Sequence, residues 1–504
     1  MLTIYFKMGA LTSKPYAFTA RPWELRSVKS VDIFDALGST IRLDMRGLNV
    51  MRVLPSIQEN LNEEWISDKI RFSYDAFKRQ RLSSPLIKVN TLQFKRVDWV
   101  TIFYNLYKRS FFKGNYGWDF VLSRFADLHS SLSIKWFADN FLSQTNFIYS
   151  EMASKSLSNQ PFRNLFSLNG SLTQLEESDM LFISGINLRL EAPLLNVRVR
   201  RAVLNNNLPV YYFGQQSGLN YKFINLGFSV LTWSSILKGK HPLCAVLSKS
   251  KKPLVWIGSN FSSSLQSSML FYDVLYKIFY SYLNNVNKEW AIFHYVPRYI
   301  SSFLTTDLFS LNQLERKKNN VLFISDEDYF NHQNYQTVIY QGSHGDRSAL
   351  LADLVLPSFF AYEKDSIWIN LQGNAQFSGR ALTAPLLTRS VSDFFSVFAR
   401  FVFKFSTLWA LKFEVKLSSP VIMSGLDKFY LGAAFSSNSL PTLSSSRSLI
   451  NNFFANNSSK VIFRILPFSA SSSDNYYLTD HITRNSAVMA LSFNRFKSFQ
   501  NNFF

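Results

Sequence analysis

Unbroken apolar runs punctuate the middle of the chain at 180–184 (MLFIS), 210–213 (VYYF), 254–257 (LVWI), 321–324 (VLFI) and 337–340 (TVIY). Runs this short and continuous suit strands covered on both faces, as in a parallel sheet. Helical stretches lie between them, most plainly at 265–280, and the alternation predicts an α/β layer architecture. The chain before them reads differently. Segments 30–36 (SVDIFDA), 40–44 and 50–54 predict short strands, with Gly38-Ser39 and Arg46-Gly47 as turns, hence a small antiparallel β layer. Segment 62–71 (NEEWISDKIR) places acidic residues first and basic residues last, the charge order that complements a helix dipole. A loop is expected at 82–88 and a hairpin at 365–377, where 366–371 (SIWINL) runs into Gln372-Gly373-Asn374. The Ser- and Asn-rich stretch 417–473 reads as a surface loop or disordered linker, least structured at 436–448.

Length fits this layout, since 504 residues exceed what one core normally holds and imply two or more lobes. The composition is globular, with 47% hydrophobic and 17% charged residues, and aromatic-rich, with 49 Phe and 23 Tyr. The two greasiest stretches fall short of a membrane span: 269–282 carries Asp273 and Lys277, and 394–415 is broken by Arg400, Lys404 and Lys412. No membrane span is expected.

The net charge of +20 favours an acidic partner, an anionic surface or nucleic acid. The basic groups are dispersed, however, as in Lys78-Arg79-Gln80-Arg81 and Arg198-Val199-Arg200-Arg201, and no nucleic-acid-binding signature accompanies them. Solvated faces and subunit contacts account for them better, and nucleic acid is not expected as a partner.

Candidate chemistry is sparse. The single cysteine, Cys244, excludes an internal disulfide and an iron–sulfur cluster held by this chain alone, and reads as a buried small hydrophobe. Six histidines are scattered, without an HExxH pair, so spacing supports no metal site. Ser343-His344-Gly345-Asp346 holds the groups of a hydrolytic triad, but sequence neighbours do not ordinarily face one another in triad geometry, and a strand-end turn is the simpler reading. The Gly/Ser turns at 38–40, 214–218 and 258–260 follow strands without a phosphate-binding fingerprint. Glu63-Glu64 and Glu176-Glu177 look like first turns of helices. No catalytic, cofactor-binding or metal-ligating residue emerges.

The segment Gly9-Ala10-Leu11-Thr12-Ser13-Lys14-Pro15-Tyr16-Ala17-Phe18-Thr19-Ala20-Arg21-Pro22-Trp23-Glu24 resembles the passage that leads from the cluster-bearing N-terminal half into the C-terminal half of the large iron–sulfur subunit of respiratory complex I. Further similar segments follow in order: 35–39 (DALGS), 62–69 (NEEWISDK), 78–82 (KRQRL), and more loosely 187–199, 251–253, 339–346 (IYQGSHGD), 352–357 (ADLVLP) and 479–484 (TDHITR). Residues 90–170 and 265–320 match poorly. The comparison, rather than periodicity, marks 191–204 as a helix.

The resemblance implies a fold like the molybdopterin oxidoreductases, α/β with a small N-terminal antiparallel β lobe followed by α/β lobes of largely parallel sheet. It divides the chain into a joining segment at 1–20, a β-rich lobe at 21–80, an α/β region at 81–416 and a C-terminal region at 417–504 with an ordered end. It further implies a non-catalytic, mitochondrion-encoded subunit on the matrix side of the inner membrane, in the peripheral arm of complex I, which transfers electrons from NADH to ubiquinone. The rival is a molybdopterin-dependent oxidoreductase.

Phe6 stands where the family has a cluster-ligating cysteine. The expectation is therefore that this chain holds no cofactor. Its fellow subunits would supply them: iron–sulfur clusters in a separate N-terminal half of a split subunit, and FMN in the neighbouring flavoprotein. Gly9, Ala10, Leu11 and Thr12 would pack beside a cluster, and the quinone-side subunits would be further partners.

Overall fold

The computed structural model describes residues 13–90, 93–111, 117–149, 168–214, 218–227, 239–258, 292–309, 321–328, 335–403 and 476–502, with a few isolated positions between. Phe6, Gly9–Thr12, the expected helix 265–280 and the stretch 417–473 lie outside the described residues.

The first lobe is a three-stranded antiparallel sheet of Arg26–Val31, Thr40–Arg46 and Asn49–Pro55, each strand paired with the next. Gly47 turns the second hairpin with φ +59°, a conformation that glycine adopts without steric cost. The first strand ends at Val31 rather than running through 36. Asp32 and Asp35 cause this, because their carboxylates accept from Phe34 N (2.9 Å) and Leu37 N (3.1 Å) and so curl the backbone into successive turns. The expected helix 62–71 is likewise reduced to Asp68–Phe72. Asn62 occupies the backbone ahead of it, accepting from Thr40 N and donating to Ser56 O, and Ser67 Oγ then caps Ile70 N.

Two sheets form the α/β part. The larger has the order Gln93–Arg96, Leu86–Asn90, Leu354–Pro357, Thr337–Gly342, Val321–Ser325, Gly117–Leu122 and Gln144–Tyr149. The last five of these run parallel, and the first two add an antiparallel edge. Residues 86–88, expected as loop, thus belong to a strand. The smaller sheet is all parallel in the order Ile224–Asn225, Val210–Phe213, Met180–Ser184, Pro253–Gly258 and Phe293–Val296. All the apolar runs are strands, buried along their whole length except at half-buried Tyr211.

Phenylalanine fills the core. Helices Leu128–Phe141 and Val391–Phe403 cover the large sheet with Phe137, Phe394, Phe395 and Phe398, which meet Trp118, Phe120 and Phe323 from the strands at ring separations of 5.0–6.2 Å. Each such ring removes a large apolar area from water and adds edge or stacking contacts. The hairpin Ser366–Ile369/Ala375–Ser378 returns to the first lobe: Ser378 Oγ lies 2.8 Å from Ser30 Oγ, and Tyr362 and Trp368 join Val31, Ile41 and Phe77 in one core. Among the described residues no helix is long and apolar enough to cross a membrane.

Candidate functional site at the carboxyl edge of the large sheet

Open parallel sheets bind ligands in the crevice outside the carboxyl ends of their strands. In the large sheet that edge carries Ser123-Arg124 after Gly117–Leu122, Asp326-Glu327 after Val321–Ser325, and Ser343-His344 after Thr337–Gly342. The crevice is filled by a charge network. Arg124 binds Glu327 through Nε at 2.8–2.9 Å, reaches Asp480 Oδ1 at 3.3 Å and lies over the ring of Tyr299. Asp480, from the short helix-opening turn before His481–Arg484, also takes Lys69 Nζ at 2.8 Å. Burial disfavours its charge, but Lys69 and Arg124 outweigh that and hold the carboxyl well below its usual range.

A second limb begins at Asp326, which forms an ion pair with His481 Nε2 at 3.3 Å and accepts a hydrogen bond from Ser343 N at 2.9 Å. Burial works against its ionisation as well, yet His481 and these hydrogen bonds bring its pKa down to about 2. His481 is correspondingly raised: desolvation opposes the imidazolium, and Asp326, Asp346 and Asp480 overcome it. Arg81 extends the limb, donating to Ser343 O and Glu363 and, at 3.3 Å, to Ser358 O. Phe125 and Ile482 pack into the same crevice, which keeps a cavity of about 30 Å³.

Ser343 and His344 do meet, Oγ to Nδ1 at 2.9 Å, although sequence neighbours were not expected to. They do not form a triad. Asp346 turns away to cap the helix Arg347–Leu351, accepting from Ala349 N at 2.9 Å, and His344 Nε2 faces Ala76 O instead. His344 is fully buried, and burial first, then the cations Arg81 and His481, push its pKa down to about 3. The arrangement joins a strand end to the first lobe and offers no approach to a substrate.

The remaining candidates resolve structurally. Glu63 sits in a turn and pairs with Arg201 (2.8 Å) and Arg198 (3.4 Å), and Glu176-Glu177 end a short helix and bind Arg201 and Lys252. Arg81 and Arg198, read from sequence as solvated or contact residues, are instead buried in internal pairs. Cys244 is buried in the helix Pro242–Lys249, and burial raises its thiol. No group of His, Cys, Asp and Glu among the described residues is arranged to hold a metal. Arg124, Asp326 and Glu327 are network residues that the sequence reading does not single out, and the available signal is charge placed directly after apolar strands; His481 enters there only within the similar segment 479–484.

Residues 81–400 match the family described as molybdopterin oxidoreductase, and residues 25–75 match the 4Fe-4S domain of the NDSU1/NuoG-like NADH-ubiquinone oxidoreductases. The NADH-ubiquinone oxidoreductase 75 kDa subunit of Reclinomonas americana is 38% identical over 399 residues, covering 75% of this chain and 57% of its own length. The 75 kDa subunit of Acanthamoeba castellanii is 33% identical over 513 residues, covering 99% of this chain and 70% of its own. The matched part thus spans little more than half of the first relative. Acetylene hydratase from Pelobacter acetylenicus shares the fold, with TM-score 0.53 and 11% identity over 74% of this chain and 69% of its own.

The match at 25–75 corrects the expectation that this chain has no cofactor, because it points to an iron–sulfur cluster in the first lobe. The side chains there do not fit a thiolate-held cluster: the lobe has neither cysteine nor histidine, and Cys244 belongs to another lobe. A molybdopterin does not fit the crevice either, because protein side chains occupy it and a cavity of about 30 Å³ accommodates water rather than a pterin. By the extent of both matches, the chain belongs to the molybdopterin oxidoreductase family and within it to the 75 kDa subunits of NADH-ubiquinone oxidoreductase, complex I.

Proposed function

We propose that this chain is a non-catalytic structural subunit of the peripheral arm of complex I, on the matrix side of the inner mitochondrial membrane, supporting electron transfer from NADH to ubiquinone. Its neighbours there are the flavoprotein subunit, the quinone-side subunits and the cluster-bearing N-terminal half of the 75 kDa subunit. One observation carries the reading. At the carboxyl edge, where open parallel sheets bind ligands, Arg124, Glu327 and Asp480 line the crevice and join it to Lys69 of the first lobe. A crevice used in this way serves rigidity.

Purification of the assembly under native conditions tests the proposal. Co-migration of this chain with NADH:ubiquinone oxidoreductase activity, together with chains bearing flavin and cluster motifs, is the expected result. Stoichiometric molybdenum or tungsten on this chain would establish the rival molybdopterin-dependent oxidoreductase.

A further inference from the structure

The cavity at the carboxyl edge has walls that are polar and incompletely bonded. Asp127, Gln341 and Trp368 line it, and each is at least nine-tenths buried. Asp127 Oδ1 is engaged by Lys364 Nζ (2.7 Å) and Ser130 Oγ, whereas Asp127 Oδ2 has no partner among the described residues. Gln341 spends its amide N–H on Arg389 O at 3.4 Å, leaving Oε1 without a partner, and Trp368 Nε1–H is unmatched too. Two acceptors and one donor are therefore left open by residues lining one small space. Leaving such groups dry costs about 1–3 kcal/mol each.

Charge narrows what can satisfy them. The carboxylates on the wall are already neutralised, Asp127 by Lys364 and Asp326 by His481. A cation would confront the Trp368 N–H, and an anion would confront both carboxylates. A ligand that accepts one hydrogen bond and donates two has the matching valence, and that ligand is water. Volume agrees, since a buried water needs ~10–15 Å³ by this measure and the cavity offers about 30 Å³.

We infer that the carboxyl-edge crevice is a built hydration site, in which one or two waters bridge Asp127 Oδ2, Gln341 Oε1 and Trp368 Nε1. The waters would join three elements: the entry of helix Leu128–Phe141, strand Thr337–Gly342 and the returning hairpin. The assignment does not depend on the proposed function.

A density map of the native assembly at ~2 Å tests it, with peaks expected ~2.7–3.2 Å from at least two of the three atoms. A map without peaks there, or with the three groups paired to protein atoms, overturns the assignment. So does a peak ringed by six or more oxygens at ~2.0–2.6 Å, which would mark a cation. Trp368→Phe and Gln341→Met each remove one partner and are expected to abolish the peak bonded to it. An unchanged peak in both variants also overturns the assignment, and the native map decides alone if neither variant folds.

Discussion

Lys69 Nζ lies 2.8 Å from Asp480 Oδ2, so a residue of the first lobe is fastened to the last described segment of the chain, and Arg124 holds the same carboxylate from the large sheet at 3.3 Å. Three parts of the molecule thus share one buried anion. Replacing that anion is more damaging than its Coulombic share implies, because Lys69 is left buried without its carboxylate while Arg124 keeps Glu327 alone.

Asp480→Ala is therefore expected to destabilise the protein by about 3–5 kcal/mol, the usual cost of orphaning a buried charge. Chemical denaturation measures it. A second variant, Asp480→Ala with Lys69→Met, removes the stranded cation and should recover part of the loss. A loss for Asp480→Ala alone no larger than that of an exposed ion pair, below ~1 kcal/mol, would show that the network does not join the lobes.

The pairing of His481 with Asp326 sets a pH dependence. The folded-state pKa of His481 is raised above its ordinary value, so the folded protein holds a proton that the unfolded chain releases. The stabilisation is complete below the ordinary histidine pKa of ~6.5 and is lost as pH rises through the higher folded value. Thermal midpoints measured across the neutral to alkaline range should fall more steeply for the native chain than for His481→Gln. Parallel curves would remove the imidazolium from the network.

How much of this was legible depended on whether polarity tracked exposure. The runs at 180–184 and 321–324 announced themselves because no polar residue interrupts them, and both are strands. Strand Gly117–Leu122 escaped notice because Asp119 sits in its middle, fully buried and satisfied by Asn146 Nδ2 at 2.7 Å and Tyr335 OH at 2.8 Å. Helix Leu128–Phe141 hid for a similar reason: Ser130, Ser131 and Ser133 point inward and blur its apolar stripe. The network could not be read at all from spacing, since Lys69, Arg124, Glu327 and Asp480 come together only through the sheet order and the return of the chain's end. The early stop of the first strand was predictable in principle from the Asp-x-x-Asp spacing at 32 and 35, which offers the backbone two side-chain acceptors in place of a ladder.

Backbone proximity gives a further expectation. A Cβ on Gly258 would stand 2.4 Å from Gly185 O, where two adjacent strands of the smaller sheet end, and main chain cannot swing aside as a flexible side chain can. Gly258→Ala is expected to cost about 1–3 kcal/mol through forced backbone shifts. An unchanged thermal midpoint would mean that the two strand ends are farther apart than described.

The turn after the first strand provides the last test, because its two carboxyls respond to pH in the sense opposite to Asp480. Asp32 is fully buried; desolvation first, and then neighbouring Asp35, raise its pKa to about 7, with the Phe34 N–H, Ser67 and Lys69 only partly offsetting them. Burial raises Asp35 to about 6, with the Leu37 N–H and Lys69 only partly offsetting it. The folded state therefore keeps protons that an unfolded chain gives up near the ordinary carboxyl value of 3.8, and this contribution to stability is lost as pH rises from there through about 7. Asp32→Asn preserves the acceptor for Phe34 N and cannot ionise. The variant should match the native protein at pH 4 and exceed its stability progressively toward pH 8, as read by denaturant midpoints. If the native protein is instead the more stable at pH 8, Asp32 is ionised in the fold, and its partner must be Lys69 acting more strongly than its engagement with Asp480 allows.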